Sequence, residues 1–297
     1  MSSSGLLRPR PPRRSPALEA RDLSVTALYT AQNWVWGEFE YAERFETEQS
    51  RGVFAATNLA LLVFGLFNWG RPSLHKGLTQ RHALIDQRAR ALKPCEVVEL
   101  AAGLSARGLR FTQAGRSPEL IRYTELDLPH VIQHKRALYQ HSLKDAKLPP
   151  RLAWRDADVT QSNLAQLFDE TSSVDRPRLI IAEGLFMYLD ASSQRALWRQ
   201  ALEALRGGGV LIFDLVPSCE QPPPGLLGRA LGALMARFTG GATFSADARG
   251  REVLCKELKE LGFESLKLYD TQRDASELGL PYASADTQQL IFEVRAP

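Results

Sequence analysis

A short turn of small residues carries the clearest chemical pattern in this sequence. The segment 97–109 has the pattern of an apolar strand, a small-residue turn and the start of a helix. Small residues such as Ala101 and Gly103 let the backbone approach a ligand closely, and a helix that begins there offers unpaired N–H groups. The acidic Glu99 stands just before the turn, where a carboxylate suits a ligand that carries an ammonium group rather than a phosphate.

Two other ligand chemistries fit this turn less well. A dinucleotide site would have the pattern G-x-G-x-x-G, which is degraded here to Ala101-x-Gly103-x-x-Ala106, so pyrophosphate binding is disfavoured. The nucleophile elbow G-x-S-x-G is nearly matched around Ser105, but Arg107 replaces its final glycine and no triad follows from the spacing. Tight packing of a strand against a helix would also explain the small residues without any ligand.

The elements around the turn predict an α/β fold. From Lys93 onward, short β-rich runs alternate with amphipathic helices, which is typical of a parallel sheet with helices on both faces. The predicted strands span residues 96–101, 121–125, 152–157, 179–183, 210–215, 265–269 and 289–294. The predicted helices in this part span residues 106–114, 131–143, 162–168, 192–205 and 246–261, and Asp190 or Ser192 is the N-cap of the fourth. An irregular connection between the last two strands predicts an antiparallel edge strand.

Composition divides the chain into three segments. Residues 1–22 are rich in Arg, Pro and Ser and are predicted to form a disordered basic tail. Residues 23–92 show helical patterns, clustered aromatic residues and no strand, which predicts an N-terminal helical cap whose last helix covers 78–92. Residues 93–297 are predicted to form the domain that contains the sheet.

The charge distribution argues against nucleic-acid binding. The net charge of the 297-residue chain is +3, and the five arginines and two acidic residues of the segment 1–22 account for all of it. The remainder is neutral and has no basic patch interleaved with aromatic residues, so we expect no nucleic-acid partner.

Metal binding and membrane insertion are also disfavoured. The three cysteines, Cys95, Cys219 and Cys255, lack metal-ligand spacing. His130, His134 and His141 could share a helix face, but no cysteine or acidic partner shares their spacing, so no metal site is expected. The longest apolar run covers 53–67 and is too short to span a membrane. We therefore expect a soluble, cytoplasmic protein with no membrane partner.

Three ordered segments resemble a known family. VVELAAGLSARGL, YTELDLPHVIQHKRAL and IIAEGLFMYLD are similar to the signature segments of the leucine carboxyl methyltransferase-like enzymes, which are class I S-adenosylmethionine (AdoMet)-dependent O-methyltransferases. The resemblance covers residues 78–215. It implies a Rossmann-like, mostly parallel seven-stranded sheet, AdoMet as the cofactor, and a small-molecule acceptor of the kind found in secondary metabolism.

The resemblance also implies roles for individual residues in AdoMet binding. Arg81 would bind the AdoMet carboxylate, and Glu99, Ala101 and Gly103 would form the floor of the site. Asp127 would accept hydrogen bonds from both ribose hydroxyls, with Glu125 as the alternative.

The adenine and amino groups of AdoMet would be held by residues after the third and fourth strands. Asp158 would accept a hydrogen bond from the adenine amine, and the backbone N–H of Val159 would meet a ring nitrogen. Asp156 competes for the role of Asp158, and capping of the next helix is an alternative use of Asp158. Glu183, at the end of the fourth strand, would face the AdoMet amino group.

The residues around the acceptor are less well defined by the sequence. Tyr188 is a candidate to lie near the acceptor, and His82 is a candidate to deprotonate the acceptor. Since a carboxylate acceptor needs no base, no catalytic base is assigned. Residues 222–241 could cover the acceptor site together with a set of aromatic side chains. Alternatively, these aromatic side chains could only pack the N-terminal helices on the sheet. The set consists of Trp34, Trp36, Phe64, Phe67 and Trp69. The alternative functions are a nicotinamide-dependent oxidoreductase and an inactive methyltransferase-like binding protein.

Overall fold

The computed structural model describes residues 23–66, 74–142, 147–168, 177–217, 247–283 and 288–297. Three sequence predictions lie wholly or partly outside these residues: the basic tail at 1–22, the roof expected at 222–241, and the aromatic set, of which Phe67 and Trp69 are not included.

The described residues form eight α-helices, seven β-strands and three short 3₁₀ helices. The α-helices are α1 (Val25–Trp36), α2 (Glu48–Leu66), α3 (Leu74–Leu92), α4 (Arg107–Thr112), α5 (Pro129–Ser142), α6 (Ala191–Ala204), α7 (Arg251–Leu261) and α8 (Thr271–Asp274). The strands are β1 (Glu96–Leu100), β2 (Arg122–Asp127), β3 (Leu152–Asp156), β4 (Arg178–Ala182), β5 (Val210–Leu215), β6 (Ser265–Asp270) and β7 (Leu290–Arg295). The 3₁₀ helices are Ala42–Phe45, Leu164–Leu167 and Phe186–Tyr188.

The strands form one seven-stranded sheet in the order β3-β2-β1-β4-β5-β7-β6. Strands β1 to β5 are parallel, and β7 is antiparallel to both β5 and β6. The mostly parallel sheet with one antiparallel strand is therefore confirmed, and that strand lies between β5 and the edge strand β6. The chain order reverses between β1 and β4, which is where open α/β sheets form a crevice at the carboxyl ends of their strands.

Helices cover both faces of the sheet, as the alternating pattern predicts. Side chains such as Val97 and Ile181 pack with α1, α3, α4 and α5 on one face. Their neighbours Val98 and Ile180 pack with α6 and α7 on the other face. Strands buried on both faces read as continuous apolar runs, and all five residues of β1 are buried.

Capping groups set several helix boundaries. Asp190 is the N-cap of α6, as predicted, and its carboxylate accepts from the Ser193 N–H at 2.7 Å. The helix predicted at 106–114 is shorter and ends at Thr112, because Gln113 is already extended. The helix predicted at 162–168 is only the 3₁₀ turn of residues 164–167, which begins where the Asn163 side chain accepts from the Ala165 N–H.

Candidate functional site

The predicted site residues lie along one edge of the sheet, where the parallel strands end. The turn after β1 holds Ala101 and Gly103, and Asp127 is the last residue of β2. Asp158 follows β3, and Glu183 follows β4. The β1 and β4 ends flank the reversal in strand order, so these groups surround the expected crevice.

The turn after β1 has a backbone shaped for close approach. Ala101 and Gly103 both adopt left-handed conformations, with φ of 51° and 52°. Such a conformation is unfavourable for alanine by about 1 kcal/mol, and a residue held in it is commonly part of a site. A Cβ added to Gly103 would meet no described atom within 4 Å, so open space adjoins this backbone.

A second glycine brings helix α4 close to the sheet. A Cβ on Gly108 would lie 2.3 Å from Glu125 Oε1, and the Gly108 N–H donates to that oxygen at 3.1 Å. Glu125 is fully buried and forms an ion pair with Lys135 at 2.5 Å. Glu125 is thus held beneath α4, away from the strand ends, so the predicted alternative to Asp127 is wrong.

Asp127 joins the ends of β1 and β2 through backbone hydrogen bonds. Its Oδ2 accepts from the Gly103 N–H at 2.6 Å, and its Oδ1 accepts from the Leu128 N–H at 2.7 Å. Burial raises the pKa of this carboxyl, although the two N–H donors oppose the shift. A carboxylate has about four acceptor positions, so two remain, which is the number that the two ribose hydroxyls of a nucleoside would need.

Asp158 shapes the loop after β3. Its carboxylate accepts from the Thr160 N–H at 2.9 Å and from the Thr160 hydroxyl at 2.7 Å. These bonds lower the pKa of Asp158 and form an Asx turn. The helix that follows is capped by Asn163, so the alternative use of Asp158 as its cap is wrong. Val159 is buried beside Asp158, whereas the competitor Asp156 is exposed at the end of β3.

Glu183 is surrounded by hydrogen-bond donors on the sheet face that packs against α3 and α4. Its Oε1 accepts from Arg81 Nε at 2.9 Å. Its Oε2 lies 2.8 Å from His82 Nδ1 and also accepts from Arg107 Nη2. Burial raises the pKa of Glu183, but His82, Arg107 and Arg81 outweigh it and hold the pKa well below its usual value. Three of about four acceptor positions are taken, which leaves one for a further donor such as an ammonium group.

Arg107 is the centre of this arrangement. Its guanidinium is fully buried and donates through all three nitrogens: to Asp86 Oδ1 at 2.6 Å, to Glu99 Oε1 and to Glu183 Oε2. Glu99 pairs in register with Ile181, and Glu183 is two residues further along, so both carboxylates lie on the same sheet face. Arg107 therefore holds together carboxylates that would otherwise repel each other.

Two predicted cofactor residues are committed to partners within the protein. Arg81 donates to Glu183 and, through Nη1, to Asp214 Oδ2 at 3.0 Å. Glu99 binds Arg107 and accepts from the Tyr123 hydroxyl at 2.7 Å. Glu99 is 2% exposed and therefore supports the turn from below, rather than lining the floor as expected.

The buried charged side chains form one cluster. We name it the charge cluster; it consists of Arg81, His82, Asp86, Glu99, Arg107, Arg110, Glu183 and Asp214. Each of these side chains is at most 7% exposed. Four carboxylates face three buried guanidinium groups, and the half-exposed Arg90 lies 3.6 Å from Asp86 Oδ2, so with a neutral histidine the charges balance.

The sequence reasoning missed several members of the charge cluster. Asp214 accepts from the Gly184 N–H at 2.6 Å as well as from Arg81, and so fixes the turn after β4. Burial raises the pKa of Asp214, and Arg81 opposes that shift. An aspartate inside the apolar strand VLIFDL was the available signal, since buried carboxylates are rare unless paired. Asp86, four residues after His82 on α3, gave a similar signal.

The two candidates near the acceptor occupy different environments. Tyr188 is 37% exposed in the turn after β4 and lies within electrostatic range of Arg81. His82 is fully buried, and Arg110 Nη2 lies 2.7 Å from its Nε2 while Glu183 lies against its Nδ1. Both ring nitrogens are therefore occupied, so His82 is placed as a structural partner of Glu183 and cannot take a proton from an acceptor in this arrangement.

The aromatic residues of the N-terminal helices also include one buried and one partly exposed side chain. Trp34 is buried and stacks on His82, with ring centroids 4.0 Å apart, so it packs the helices on the sheet. Trp36 is partly exposed and stacks on Tyr282 at 5.2 Å. Of the other aromatic residues predicted to line the acceptor site, Phe67 and Trp69 lie outside the described residues, and Phe64 lies on α2 with its side chain not described.

A separate surface groove lies between α5 and the start of β3 and includes Tyr139 and Trp154, but it contains none of the predicted site residues. Across the ranges described above, no group of three or more His, Cys, Asp or Glu residues is arranged to hold a metal ion. No helix in the described part of the chain is long and apolar enough to cross a membrane.

Comparison with known proteins places the chain in a family. The family model for leucine carboxyl methyltransferase matches residues 38–201, which is more than half of the chain. The tetracenomycin polyketide synthesis O-methyltransferase TcmP of Streptomyces glaucescens is 28% identical over 123 residues, which cover 41% of this chain and 39% of that protein. This chain therefore aligns with about two fifths of that relative's length.

Solved structures share the fold. A protein assigned provisionally as a methyltransferase from Thermobifida fusca has a TM-score of 0.58 and 15% identity, covering 95% of this chain and 97% of that one. A DUF574 family protein from Streptomyces avermitilis has a TM-score of 0.54 and 14% identity, covering 90% and 97%. With its family match and its seven-stranded sheet, this chain belongs to the leucine carboxyl methyltransferase family and has the class I methyltransferase fold.

Proposed function

We propose that this protein is an AdoMet-dependent O-methyltransferase that methylates a carboxylate or hydroxyl group of a small metabolite. The observation that supports this most strongly is the pair of buried carboxylates that flank the crevice. Asp127 retains two acceptor positions, and Glu183 retains one. Those numbers match a ribose with two hydroxyls and an amino acid with one ammonium group.

The residues at the strand ends fit AdoMet chemically. Open space beside Gly103 leaves room for a ligand against the backbone of the turn. The open acceptor position on Glu183 suits the ammonium group of AdoMet, because a buried carboxylate is stabilised by an opposite charge. The fit of Arg81 is partial: two of its nitrogens are bound to Glu183 and Asp214, so only Nη2 remains for the AdoMet carboxylate.

The proposed mechanism assigns binding and alignment to this chain. When bound, AdoMet supplies an electrophilic methyl group on a sulfonium. Asp127 would hold the sugar, Asp158 and the Val159 N–H would hold the adenine, and Glu183 would hold the amino group. Alignment of two reactants can supply about 7–11 kcal/mol of a barrier, so a fixed ligand position is a large part of the catalysis. Because His82 cannot act as the base, a carboxylate acceptor, which needs no deprotonation, is the simpler substrate.

The relatives support the class of acceptor. The printed name of the S. glaucescens protein assigns it to O-methylation in polyketide synthesis, which is consistent with a small-molecule acceptor here. Exposed Tyr188, beside the Arg81 end of the crevice, is the described side chain that we propose to lie closest to the acceptor. We further propose that the protein acts in the cytoplasm as a soluble enzyme.

Calorimetry with four ligands tests the proposal. AdoMet and S-adenosylhomocysteine should bind with one-to-one stoichiometry, and NADH should not bind. Absence of heat with both AdoMet and S-adenosylhomocysteine at millimolar ligand would overturn the proposal, and binding of NADH would favour the oxidoreductase. The fourth ligand, 5′-methylthioadenosine, lacks the amino-acid group and should bind more weakly than S-adenosylhomocysteine.

Transfer of the methyl group is tested separately. The protein is incubated with methyl-labelled AdoMet and fractions of small carboxylic acids and phenols. Label that mild base releases as methanol identifies a methyl ester, and label that survives base identifies an ether. Binding of AdoMet with no transfer to any fraction would contradict the enzyme and favour an inactive binding protein.

A further inference from the structure

One buried histidine connects the N-terminal helices with the charge cluster. The imidazole of His82 is fully buried on α3. Trp34 of α1 stacks on one face at a centroid distance of 4.0 Å and an angle of 25°, and the Phe39 ring meets it edge-on at 4.6 Å. Side chains outside the sheet domain therefore fix the plane of this ring.

The partners of the two ring nitrogens determine where the imidazole proton lies. Arg110 Nη2 lies 2.7 Å from Nε2. A guanidinium only donates, so Nε2 must accept and carries no proton. The proton of the neutral ring is therefore on Nδ1, which lies 2.8 Å from Glu183 Oε2 and donates to it. Arg107 Nη2 also lies 2.8 Å from Nδ1, but as a donor it makes its hydrogen bond to Glu183 Oε2 instead.

The charged groups around the ring oppose a second proton. A proton on Nε2 would point at the Arg110 donor, and Arg107 adds a second positive charge. The carboxylates nearby are Glu183 and Asp86, the latter 4.0 Å from Nε2, and both are already paired with arginines. Burial and Arg107 lower the pKa of His82, and the two carboxylates only partly offset this. His82 thus stays neutral.

We propose that His82 is a positioning residue: its Nδ1–H fixes the carboxylate of Glu183 for the ammonium group of AdoMet, and Trp34 holds the ring in the required orientation. This inference rests on the proposed function. It assigns the N-terminal helices a part in recognising the amino-acid end of the ligand, in addition to covering the sheet.

A pair of ligands separates this role from a general structural role. S-Adenosylhomocysteine carries the ammonium group, whereas 5′-methylthioadenosine has the same nucleoside and no amino acid. Loss of a hydrogen bond that positions Glu183 should lower the affinity for S-adenosylhomocysteine only. General destabilisation of the fold should lower the affinity for both ligands equally.

The variants are His82→Leu, which leaves no N–H donor near the position of Nδ1, and Trp34→Leu, with His141→Leu on the exposed end of α5 as the matched control. His82→Leu should lower the affinity for S-adenosylhomocysteine about tenfold, the effect of one charge-assisted hydrogen bond, and Trp34→Leu should lower it in the same direction. The affinity for 5′-methylthioadenosine should stay within about twofold in both variants. Equal losses for the two ligands, or no loss for either, would overturn the proposal. A wild-type protein that binds neither ligand would instead refute the proposed function.

Nitrogen-15 NMR of the wild-type protein tests the proton position without relying on a variant. The His82 signals, identified by their disappearance in His82→Leu, should show a protonated Nδ1 and an unprotonated Nε2. They should not titrate between about pH 6 and pH 8, where an unperturbed histidine changes charge. A protonated Nε2, or titration in that range, would refute the proposal even if the variant binds ligand poorly.

Discussion

The two halves of the strand edge hold their carboxylates in different ways. At the β1 and β4 ends, Glu99 and Glu183 are bound by arginine side chains that reach in from α3 and α4. At the β2 and β3 ends, Asp127 and Asp158 are bound by backbone N–H groups, Asp127 by those of Gly103 and Leu128 and Asp158 by that of Thr160. The first half depends on ion pairs between side chains, and the second depends on hydrogen bonds from the backbone.

The two kinds of contact should respond differently to substitution. Removing one member of a buried ion-pair network leaves other charges buried without partners, which is costly for the fold. Removing a carboxylate that accepts from backbone N–H groups leaves only neutral donors without a partner, which costs less. Substitutions at the β1 and β4 ends should therefore affect stability first, and substitutions at the β2 and β3 ends should affect ligand affinity first.

The largest effect is expected for Arg107→Met. This change leaves Asp86, Glu99 and Glu183 without their shared cation, so the free energy of unfolding should fall by about 3–5 kcal/mol. Urea denaturation measures it. Arg116→Met is the matched control, because Arg116 forms a half-exposed ion pair with Glu40 at 2.8 Å and should cost at most about 1 kcal/mol. Equal effects of the two changes would contradict the role of the charge cluster.

Asp127→Asn should mainly reduce ligand affinity. Both carboxylate oxygens accept from backbone N–H groups, so an amide deprives either Gly103 or Leu128 of its acceptor. It also removes an acceptor for the ribose hydroxyls. We expect about a tenfold loss of affinity for S-adenosylhomocysteine by calorimetry. Asp156→Asn, at the exposed position opposite Asp127 in the sheet register, should change that affinity less than twofold. An Asp127→Asn variant with wild-type affinity would refute the ribose role.

The pH dependence of stability should reveal that the His82 ring is neutral in the folded protein. Its pKa in the folded protein lies below the unfolded value of about 6.5. Below that pH, His82 binds a proton in the unfolded chain but not in the folded protein. The stability that the neutral ring contributes is therefore present above about pH 6.5 and is lost as the pH falls. The free energy of unfolding should therefore fall more steeply from pH 7 to pH 5.5 in the wild-type protein than in His82→Leu. Parallel slopes would show that the ring is not held neutral.

Asp158 offers the smallest expected effect. Asp158→Asn keeps an acceptor oxygen for the Thr160 N–H but replaces the second oxygen by an NH2 group, which cannot accept from the adenine amine, so it should weaken binding of S-adenosylhomocysteine, though less than Asp158→Ala does. Asp158→Ala removes that acceptor and the proposed adenine contact, which should weaken binding by about three- to tenfold. The control is Asp190→Ala, since Asp190 caps α6 in a similar way and its pKa is likewise lowered, to about 2. A loss of affinity in Asp190→Ala as large as that in Asp158→Ala would point to a general effect.

The fold could be predicted from the sequence because its signals are local. Apolar runs such as the one in β1 and the alternation of strands with helices define a parallel sheet, and Asp190 marked the start of α6 correctly. The turn at Ala101 and Gly103 and the strand-end position of Glu183 could also be predicted, because each follows directly from an apolar run.

The partners within the site could not be predicted in the same way. Arg81 lies 102 residues before Glu183 in sequence and 133 before Asp214, and no local pattern records those distances. Arg107 was interpreted only as a residue that breaks a nucleophile motif, although it is the centre of the charge cluster. Glu125 illustrates the converse error, because its spacing suits a ribose contact while its side chain is buried against Lys135.

A crystal structure with bound S-adenosylhomocysteine would show whether the strand edge is the cofactor site. We expect the ligand to lie across the ends of β1 and β4, with its ribose hydroxyls on Asp127 and its ammonium group on Glu183. A ligand bound elsewhere, for instance in the groove between α5 and β3, or a crevice that stays empty at saturating ligand, would refute this site.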